Sequence, residues 1–342
     1  MKALVRRAMG EGAFGLSSGL FYIPGSFAKT EEVIELARVA AERGGVYTSH
    51  IRDEADYNVG VVASVDEVIR VAQEAHLRGI VTHMKALGAA NWGKVATLLQ
   101  HIDAARARGV EVFADQYPYE ASSTTLQAAL LPDGPTGDRA KDESAAAANL
   151  QRRGGADTIV IALCRFDHSL EGMSLSRVAA DRKVSPASAA VDIIGRGGAS
   201  VVSFNMSPDD IDAIMREPYT MSSSDGGLVA IGEGKPHPRN NGAFARKLAM
   251  YVRERHVVSL EFAVRSMTTL PALVFGMKDR GTIREGAWAD LVIFDPATIQ
   301  DRATYENPHQ LATGVSYVLV NGQIVIDGGK FTSALPGKVL RR

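Results

Sequence analysis

Hydrophobic and polar positions repeat along the first third of the chain as one alternating unit. Short apolar runs rich in β-branched residues are each followed by a polar turn and a longer stretch whose apolar residues have helical spacing. The apolar runs are VYTSHI, IVTHMK and VEVFADQYPY, and the helical stretches between them extend from about Val65 to Arg78 and from about Lys94 to Arg108. Glycines precede these runs at positions 45, 79 and 109, at intervals of 34 and 30 residues. This spacing is typical of strand–helix units in a parallel sheet.

The helical stretches carry start and stop signals. Ser64 followed by Glu67 is the pattern of a capping box, in which a hydroxyl and a carboxylate bond to free amides at a helix start. Apolar residues follow at helical spacing, and Gly79 is suited to the left-handed conformation at a helix end. The stretch from Thr30 to Arg43 has the same features and is closed by Gly44. Repeated units of this length predict a parallel α/β protein, either a (β/α) barrel or a doubly wound sheet.

The pattern changes after about residue 121. Residues 121–200 include the stretch PDGPTGDRAKDESAAAANLQRRGGAD, whose small, polar and charged side chains predict a mobile insertion or lid. VVSFNM and YTMSSSDGG predict two more buried strands, and a helical region follows from about Phe244 to Leu273. The last stretch has short β runs broken by Gly and Asn-Gly turns. We therefore expect a barrel-like domain over residues 1–278 and a small β domain over residues 279–342.

Composition and charge narrow the class of protein. The 342 residues are 46% hydrophobic and 23% charged, with a formal net charge of −1, which provides no electrostatic footprint for nucleic acid or for a membrane surface. Cys164 is the single cysteine, so an internal disulfide is excluded and a reducing compartment is favoured. No apolar run approaches the roughly 20 residues that span a bilayer. The sequence predicts a cytoplasmic globular protein that binds neither nucleic acid nor membranes.

Two histidines occupy equivalent places in neighbouring units. His50 lies five residues after Gly45, and His83 lies four residues after Gly79. Carboxyl ends of parallel strands line the mouth of a barrel, and neutral imidazoles are common zinc ligands, so the pair predicts a metal site. A structural role for each histidine is the competing interpretation. Lys85 lies two residues beyond His83, which on a strand places both side chains on one face.

Asp225 and Arg239 are the next candidates. Asp225 follows the YTM run in SSSDGG, where a carboxylate at a strand end can approach a metal and transfer a proton. An aspartate in a turn before two glycines is the alternative. Arg239 lies in the segment HPR of a loop rich in Gly, Pro and Asn, where it could hold a carboxylate through two hydrogen bonds or simply be solvated.

These motifs together resemble the D-aminoacylase branch of the amidohydrolase superfamily. The segments GAFGLSSGLFYIP, YTSHIRDE, THMK, DQYPYEASST, SSSDGG, HPR and ADLVIFDPATI occur in the order found in that family and extend over nearly the whole chain. The resemblance implies a TIM-like (β/α)8 barrel with a small β-sandwich domain. It also implies hydrolysis of the amide bond of N-acyl-D-amino acids, a small-molecule substrate, to a carboxylate and a D-amino acid.

The resemblance further assigns roles by position. His50 and His83 match two zinc ligands, and Asp225 matches the general base that borders a second, weaker metal position. Four residues match positions on the substrate side, several of which engage the α-carboxylate: Tyr22, Lys85, Tyr117 and Arg239. Cys164 lies outside the matching motifs and is expected to be a buried, inert thiol.

The sequence also departs from the family pattern. The family's first β segment, its His-x-His or His-x-Asp strand and the strand with a ligand cysteine have no counterpart here, so about strands four to eight of the barrel are expected. Such a sheet has two open edges, through which we expect self-association, weak zinc binding and little activity of this chain alone. Two alternatives remain at this stage: an amidohydrolase acting on cyclic amides, of the dihydroorotase or hydantoinase type, and a binding protein without a complete metal site.

Overall fold

The computed structural model describes residues 1–342 and contains three separate β-sheets. The largest sheet is parallel, with the order β1-β2-β3-β4-β8, and an antiparallel sheet has the order β5-β7-β6. The third sheet is antiparallel, in the order β12-β11-β10-β9. The strands are β1 (Gly15–Gly19), β2 (Val46–His50), β3 (Arg78–Val81), β4 (Val112–Gln116), β5 (Ala121–Thr125), β6 (Ile159–Leu163), β7 (Ser200–Phe204), β8 (Thr220–Ser222), β9 (Leu291–Phe294), β10 (Val315–Val320), β11 (Gln323–Asp327) and β12 (Lys330–Phe331).

Twelve α-helices connect and cover the strands. They are α1 (Lys2–Gly10), α2 (Thr30–Ala41), α3 (Val61–Ala75), α4 (Val95–Ala107), α5 (Leu126–Leu130), α6 (Arg139–Arg152), α7 (Leu175–Arg182), α8 (Pro186–Gly195), α9 (Pro208–Arg216), α10 (Arg239–Arg246), α11 (Leu260–Met267) and α12 (Thr269–Phe275), and a π-helical segment (Lys247–Glu254) continues from α10. Helices α2, α3 and α4 alternate with β1 to β4, which confirms the predicted parallel α/β units. β1 and β8 are the two edges of the parallel sheet, so the barrel is not closed.

Helix α3 begins and ends differently from the sequence prediction. It starts four residues earlier than expected, at Val61, and Ser64 lies inside it with its hydroxyl donating to the Gly60 carbonyl at 3.0 Å. The predicted capping box is therefore wrong. Glu67 instead accepts hydrogen bonds from Arg52 at 2.7 and 2.9 Å and from Thr30 at 2.8 Å. This buried ion pair ties α3 to the loop after β2 and to the start of α2.

The end of α3 is also formed by a different residue. His76 adopts the left-handed conformation there, with φ of 54°, whereas Gly79 lies within β3. A Cβ atom at Gly79 would lie 2.8 Å from the Cβ of Ala72, so this glycine is required for the close approach of helix and strand. The predicted apolar stripe of α3 is confirmed, since its members are at most 7% exposed: Val65, Val68, Ile69, Ala72 and Ala75.

Residues 121–204 form a packed unit, which we call the insertion subdomain. The strands β5, β6 and β7 pair antiparallel, and helices α5 to α8 bury a separate apolar core against them. β7, predicted as the VVSFNM strand, therefore belongs to this sheet and not to the parallel one. Cys164 is buried at the end of β6, and burial raises the pKa of its thiol. The mobility expected from the composition stays a prediction.

The C-terminal strands confirm the predicted short β runs. β9 to β12 form a four-stranded antiparallel sheet in which Val292 and Ile293 are 57% and 53% exposed. The division of the chain after residue 278 stays a prediction, as does self-association through the sheet edges. No helix in the chain has both the length and the apolar character that crossing a membrane requires.

Replacing Glu67 tests the ion pair at α3. Glu67→Ala leaves the Arg52 guanidinium without its carboxylate in a site where the two side chains are 13% and 8% exposed. We expect the free energy of unfolding to fall by about 3 kcal/mol in a urea titration, as for other broken buried pairs. Ser64→Ala is the control, and it removes one hydrogen bond within the helix at a loss of about 1 kcal/mol or less. Equal losses for the two variants would contradict this assignment and favour a capping box.

A second buried charge lies beside the edge strand β8. The Lys247 amine donates to Ser222 Oγ at 2.8 Å and to Ser266 Oγ at 2.9 Å, and no carboxylate pairs with it. Burial lowers the pKa of Lys247 from its ordinary 10.5 to about 7. Between these two values the unfolded chain binds more protons at this lysine than the folded chain does. The destabilisation of the fold by Lys247 is therefore at its full value below about pH 7. It becomes smaller as the pH rises towards 10.5.

Unfolding at two pH values tests this linkage. From pH 7 to pH 9 we expect the wild-type protein to gain about 2–3 kcal/mol in unfolding free energy relative to Lys247→Met, because methionine has no charge to relieve. Lys141→Met, at a lysine whose side chain is 74% exposed, is the control and should follow the wild-type profile. Parallel pH profiles for wild type and Lys247→Met would show that Lys247 keeps an ordinary pKa.

Candidate active site

The two candidate histidines face each other at the carboxyl end of the parallel sheet. His50 is the last residue of β2, and His83 lies two residues beyond the end of β3. His50 Nδ1 and His83 Nε2 are 2.9 Å apart. The convergence expected from the register of neighbouring βα units is therefore observed, and the role of the two rings as ligands stays a proposal.

His83 does not lie on a strand, contrary to the sequence prediction. β3 ends at Val81, and His83 has a φ of 40° in the following turn. The cause is Asp115 of β4, whose carboxylate accepts from the His83 backbone N–H at 2.9 Å and from Ser223 Oγ at 2.7 Å. Burial raises the pKa of this carboxyl group. Asp115 thus fixes the turn that directs the His83 ring towards His50.

Glu54 is a site residue that the sequence interpretation missed. Its carboxylate contacts the Lys85 amine directly and lies 3.0 Å from His83 Nδ1. Burial alone would raise the pKa of Glu54, but Lys85, His50 and His83 together lower it well below its usual range. The motif HIRDE places this glutamate four residues after His50, and that spacing was the available signal. The spacing alone did not predict where the Glu54 side chain points, because the intervening residues form a loop.

The loop that carries Glu54 is held in shape by the preceding aspartate. The Asp53 carboxylate accepts from the backbone N–H groups of Ala55, Asn58 and Gly60 at 2.7–3.0 Å. Such a ring of backbone donors leaves the loop little freedom. Glu54 is therefore presented to His83 by a rigid segment.

The geometry of the two rings fits a shared zinc ion. Burial lowers the pKa of His50 to about 3, so its ring is neutral and keeps a lone pair. Ligand nitrogens that lie about 2.0–2.1 Å from one zinc ion are themselves about 3 Å apart, as His50 Nδ1 and His83 Nε2 are. Glu54 lies beside Nδ1 of His83, the ring nitrogen that does not face His50, and so helps to orient the ring. Atoms of His50, Glu54 and His83 lie within 4.8 Å of one another, a spacing that suits a metal site.

Asp225 borders the same cavity but is paired with an arginine. The strand β8 ends at Ser222, and Asp225 lies in the following turn with a φ of 49°. Its Oδ2 is 2.9 Å from Arg239 Nη1. Asp225 is not part of the closely spaced group of His50, Glu54 and His83. The structure thus brings it to the site without placing it among the closest potential ligands.

Three of the four residues predicted on the substrate side line this cavity, and the fourth, Arg239, contacts Asp225 and Tyr117 in its wall. Lys85 Nζ and Arg239 Cζ are 5.6 and 4.5 Å from the centre of the Tyr117 ring, so both cations flank one aromatic wall. The Tyr22 ring lies 4.7 Å from that of His50, and its hydroxyl is 3.1 Å from Thr124 Oγ1 in the insertion subdomain. Their roles stay proposals.

The cavity has a volume of about 280 Å³ and is walled on one side by the insertion subdomain. Arg153 reaches it from the end of α6, a second residue that the sequence interpretation missed. The residues that line the cavity are Phe21, Tyr22, His50, Glu54, Tyr57, His83, Lys85, Leu87, Tyr117, Ser122, Ser123, Thr124, Arg153 and Asp225.

The carboxyl ends of the parallel strands bring histidines and carboxylates into one cavity. This arrangement is typical of barrel proteins with a metal site. Comparison with known families agrees with that class. A model described as the amidohydrolase family matches residues 1–326, and the chain belongs to this family.

Two characterised relatives come from Alcaligenes xylosoxydans xylosoxydans. An N-acyl-D-glutamate deacylase is 39% identical over 342 residues, and a D-aminoacylase is 36% identical over 343 residues. Both alignments cover 100% of this chain and 64% of the relative. The chain therefore spans about two-thirds of the length of these relatives.

Solved structures show the same relationship. The N-acyl-D-glutamate deacylase of Bordetella bronchiseptica, complexed with zinc and a phosphonate inhibitor, matches with a TM-score of 0.85 and 38% identity, covering 100% of this chain and 65% of that protein. The L-hydantoinase of Arthrobacter aurescens matches with a TM-score of 0.58 and 16% identity, covering 97% of this chain and 68% of that protein. The second match shows the fold alone.

Removing Glu54 tests its position behind His83. Lys85 Nζ and Glu54 Oε1 both lie beside His83 Nδ1, at 2.7 and 3.0 Å, and Glu54→Ala leaves the Lys85 ammonium there without its counter-charge. An unpaired positive charge beside this ring disfavours a metal ion at the histidine pair. We expect zinc affinity, measured by competition with a chromophoric chelator, to fall about 10–100-fold.

The control for this variant is Asp66→Ala, which removes the carboxylate of the exposed pair between Asp66 and His101, 2.7 Å apart. It should leave zinc affinity unchanged. Unchanged zinc affinity in Glu54→Ala would contradict a positioning role for Glu54.

Proposed function

We propose that this chain carries the catalytic site of a zinc-dependent deacylase that hydrolyses N-acyl-D-amino acids to a carboxylate and a D-amino acid. The observation that carries the proposal is the facing pair of His50 Nδ1 and His83 Nε2, 2.9 Å apart beside a cavity that contains a carboxylate and cations. The relatives named above add support, since each acts on an N-acyl-D-amino acid by name or belongs to the D-aminoacylases.

The proposed chemistry divides between the metal and this chain's own residues. His50 and His83 would hold zinc, which supplies Lewis-acid activation of water and of the amide carbonyl. Asp225 acts as the general base and then as the general acid, accepting a proton at its carboxylate and donating it to the leaving nitrogen. Its side chain is 35% exposed and borders the cavity, so a substrate can reach it. A second, weaker metal position beside Asp225 belongs to the same proposal.

Orientation of the substrate rests on the wall around Tyr117. Lys85 and Arg239 both place positive charge close to this ring, where a free α-carboxylate can be held. Tyr22 packs against His50 and limits where the acyl group can lie. With the carboxylate fixed, only one hand of the α-carbon presents its amide to the histidine pair.

The names of the relatives do not determine which side chain of the substrate amino acid is preferred. They include an N-acyl-D-glutamate deacylase, an N-acyl-D-aspartate deacylase and a D-aminoacylase. Small-molecule amides are the proposed partners, with the activity placed in the cytoplasm on the basis of the single cysteine. Binding to nucleic acid or membranes is not part of the proposal.

A substrate panel tests the proposed function. Zinc-loaded protein should release D-amino acids from N-acetyl-D-methionine and N-acetyl-D-glutamate, at the low rate expected of this chain alone, and should leave the L-enantiomers intact. Asp225→Asn should retain zinc and lose at least about 100-fold in kcat, because the amide cannot carry the proton. Hydrolysis of cyclic amides instead would overturn the proposal in favour of a hydantoinase-type activity. Zinc binding without any hydrolysis would favour a binding protein.

A further inference from the structure

Arg153 is a buried cation in the wall of the cavity that has no acidic partner. It is 3% exposed, yet no carboxylate in the chain lies within salt-bridge distance of its guanidinium. Its neighbour Arg152, in contrast, is paired with Asp56 at 2.8 Å. A buried arginine without a counter-charge is energetically unfavourable, so such a residue in a cavity points to an anionic ligand.

The contacts of Arg153 hold its side chain in place without neutralising it. Nε donates to the Tyr57 hydroxyl at 2.6 Å and to the Ala129 carbonyl at 3.1 Å, and Nη1 donates to Ser203 Oγ at 3.3 Å. All three acceptors are uncharged, and Nη2 bonds to no protein group. The guanidinium is therefore positioned in advance, with part of its donor capacity free in a cavity that it lines.

The cations of the site belong to two different walls. Lys85 and Arg239 flank Tyr117, and each already contacts a carboxylate, of Glu54 and Asp225 respectively. Arg153 instead lies against Tyr57, whose ring packs on Phe21 at 5.4 Å between centres. A cavity of about 280 Å³ with positive charge on two walls suits a small ligand that carries two carboxylates.

We infer that Arg153 binds the side-chain carboxylate of the substrate, so that the site selects N-acyl derivatives of acidic D-amino acids. The inference rests on the proposed function and adds the class of side chain to it. The Tyr117 wall holds the α-carboxylate, and the insertion subdomain supplies the residue that recognises the side chain. Specificity and chemistry are thus provided by different parts of the chain.

Binding of the free amino acids tests the inference without requiring turnover. D-glutamate and D-glutamine have nearly the same shape, differ in side-chain charge and cannot be hydrolysed as they lack an acyl group. Calorimetry with zinc-loaded protein should show that D-glutamate binds roughly tenfold or more tightly than D-glutamine. This ratio corresponds to the free energy that a hydrogen bond to a charged group contributes. Arg153→Gln should abolish this preference, and Arg152→Gln should retain it.

The ratio of the two affinities separates recognition from folding. A general loss of structure in Arg153→Gln would weaken the binding of both ligands alike, so thermal unfolding is measured beside binding. Arg153→Lys keeps the charge and should retain part of the preference for D-glutamate. Equal affinities in the wild type, a preference that survives Arg153→Gln, or no binding of either ligand would overturn the inference. Failure of the proposed function shows separately, as absence of hydrolysis of N-acetyl-D-glutamate and N-acetyl-D-methionine.

Discussion

The contact between the Glu54 carboxylate and His83 determines how the rest of the site is arranged. The Glu54 carboxylate contacts the Lys85 amine and lies 3.0 Å from His83 Nδ1, and the other ring nitrogen of His83 is directed at His50. The carboxylate also neutralises a lysine that would otherwise repel a metal ion beside the histidines. One buried acid thus sets the charge around the His83 imidazole and holds the ring in place.

Several of these features follow from the sequence because they depend on periodicity alone. Equivalent positions in consecutive βα units come together at one edge of a parallel sheet, so the meeting of His50 and His83 was predictable without side-chain detail. Tyr117 and Asp225 follow strands of the same sheet and reach the same edge. The apolar stripe of α3 was predictable for a similar reason, since burial of one helix face requires helical spacing.

Features that depend on a particular long-range contact could not be predicted from the periodicity of the sequence. Glu67 has the spacing of a capping residue, but a buried arginine from another loop binds it, and the helix begins at Val61, ahead of Ser64. His83 leaves the strand because a carboxylate on the next strand accepts its backbone N–H. Arg153 stands in a stretch whose composition resembles a loose loop, and only the packing of the insertion subdomain shows that it reaches the cavity. In each case a polar side chain distant in sequence overrides the local pattern.

Stability and chemistry come from different layers of the molecule. Apolar packing of α2, α3 and α4 against the parallel sheet forms the largest core, and none of the cavity's charged residues belongs to it. Buried charges contribute little net stability even when paired, because desolvation offsets their attraction. The charges at the strand ends are therefore explained by what they bind rather than by what they stabilise. Lys85 and Asp225 each have a partner within the chain, which leaves the guanidinium of Arg153 as the cavity charge that a ligand must neutralise.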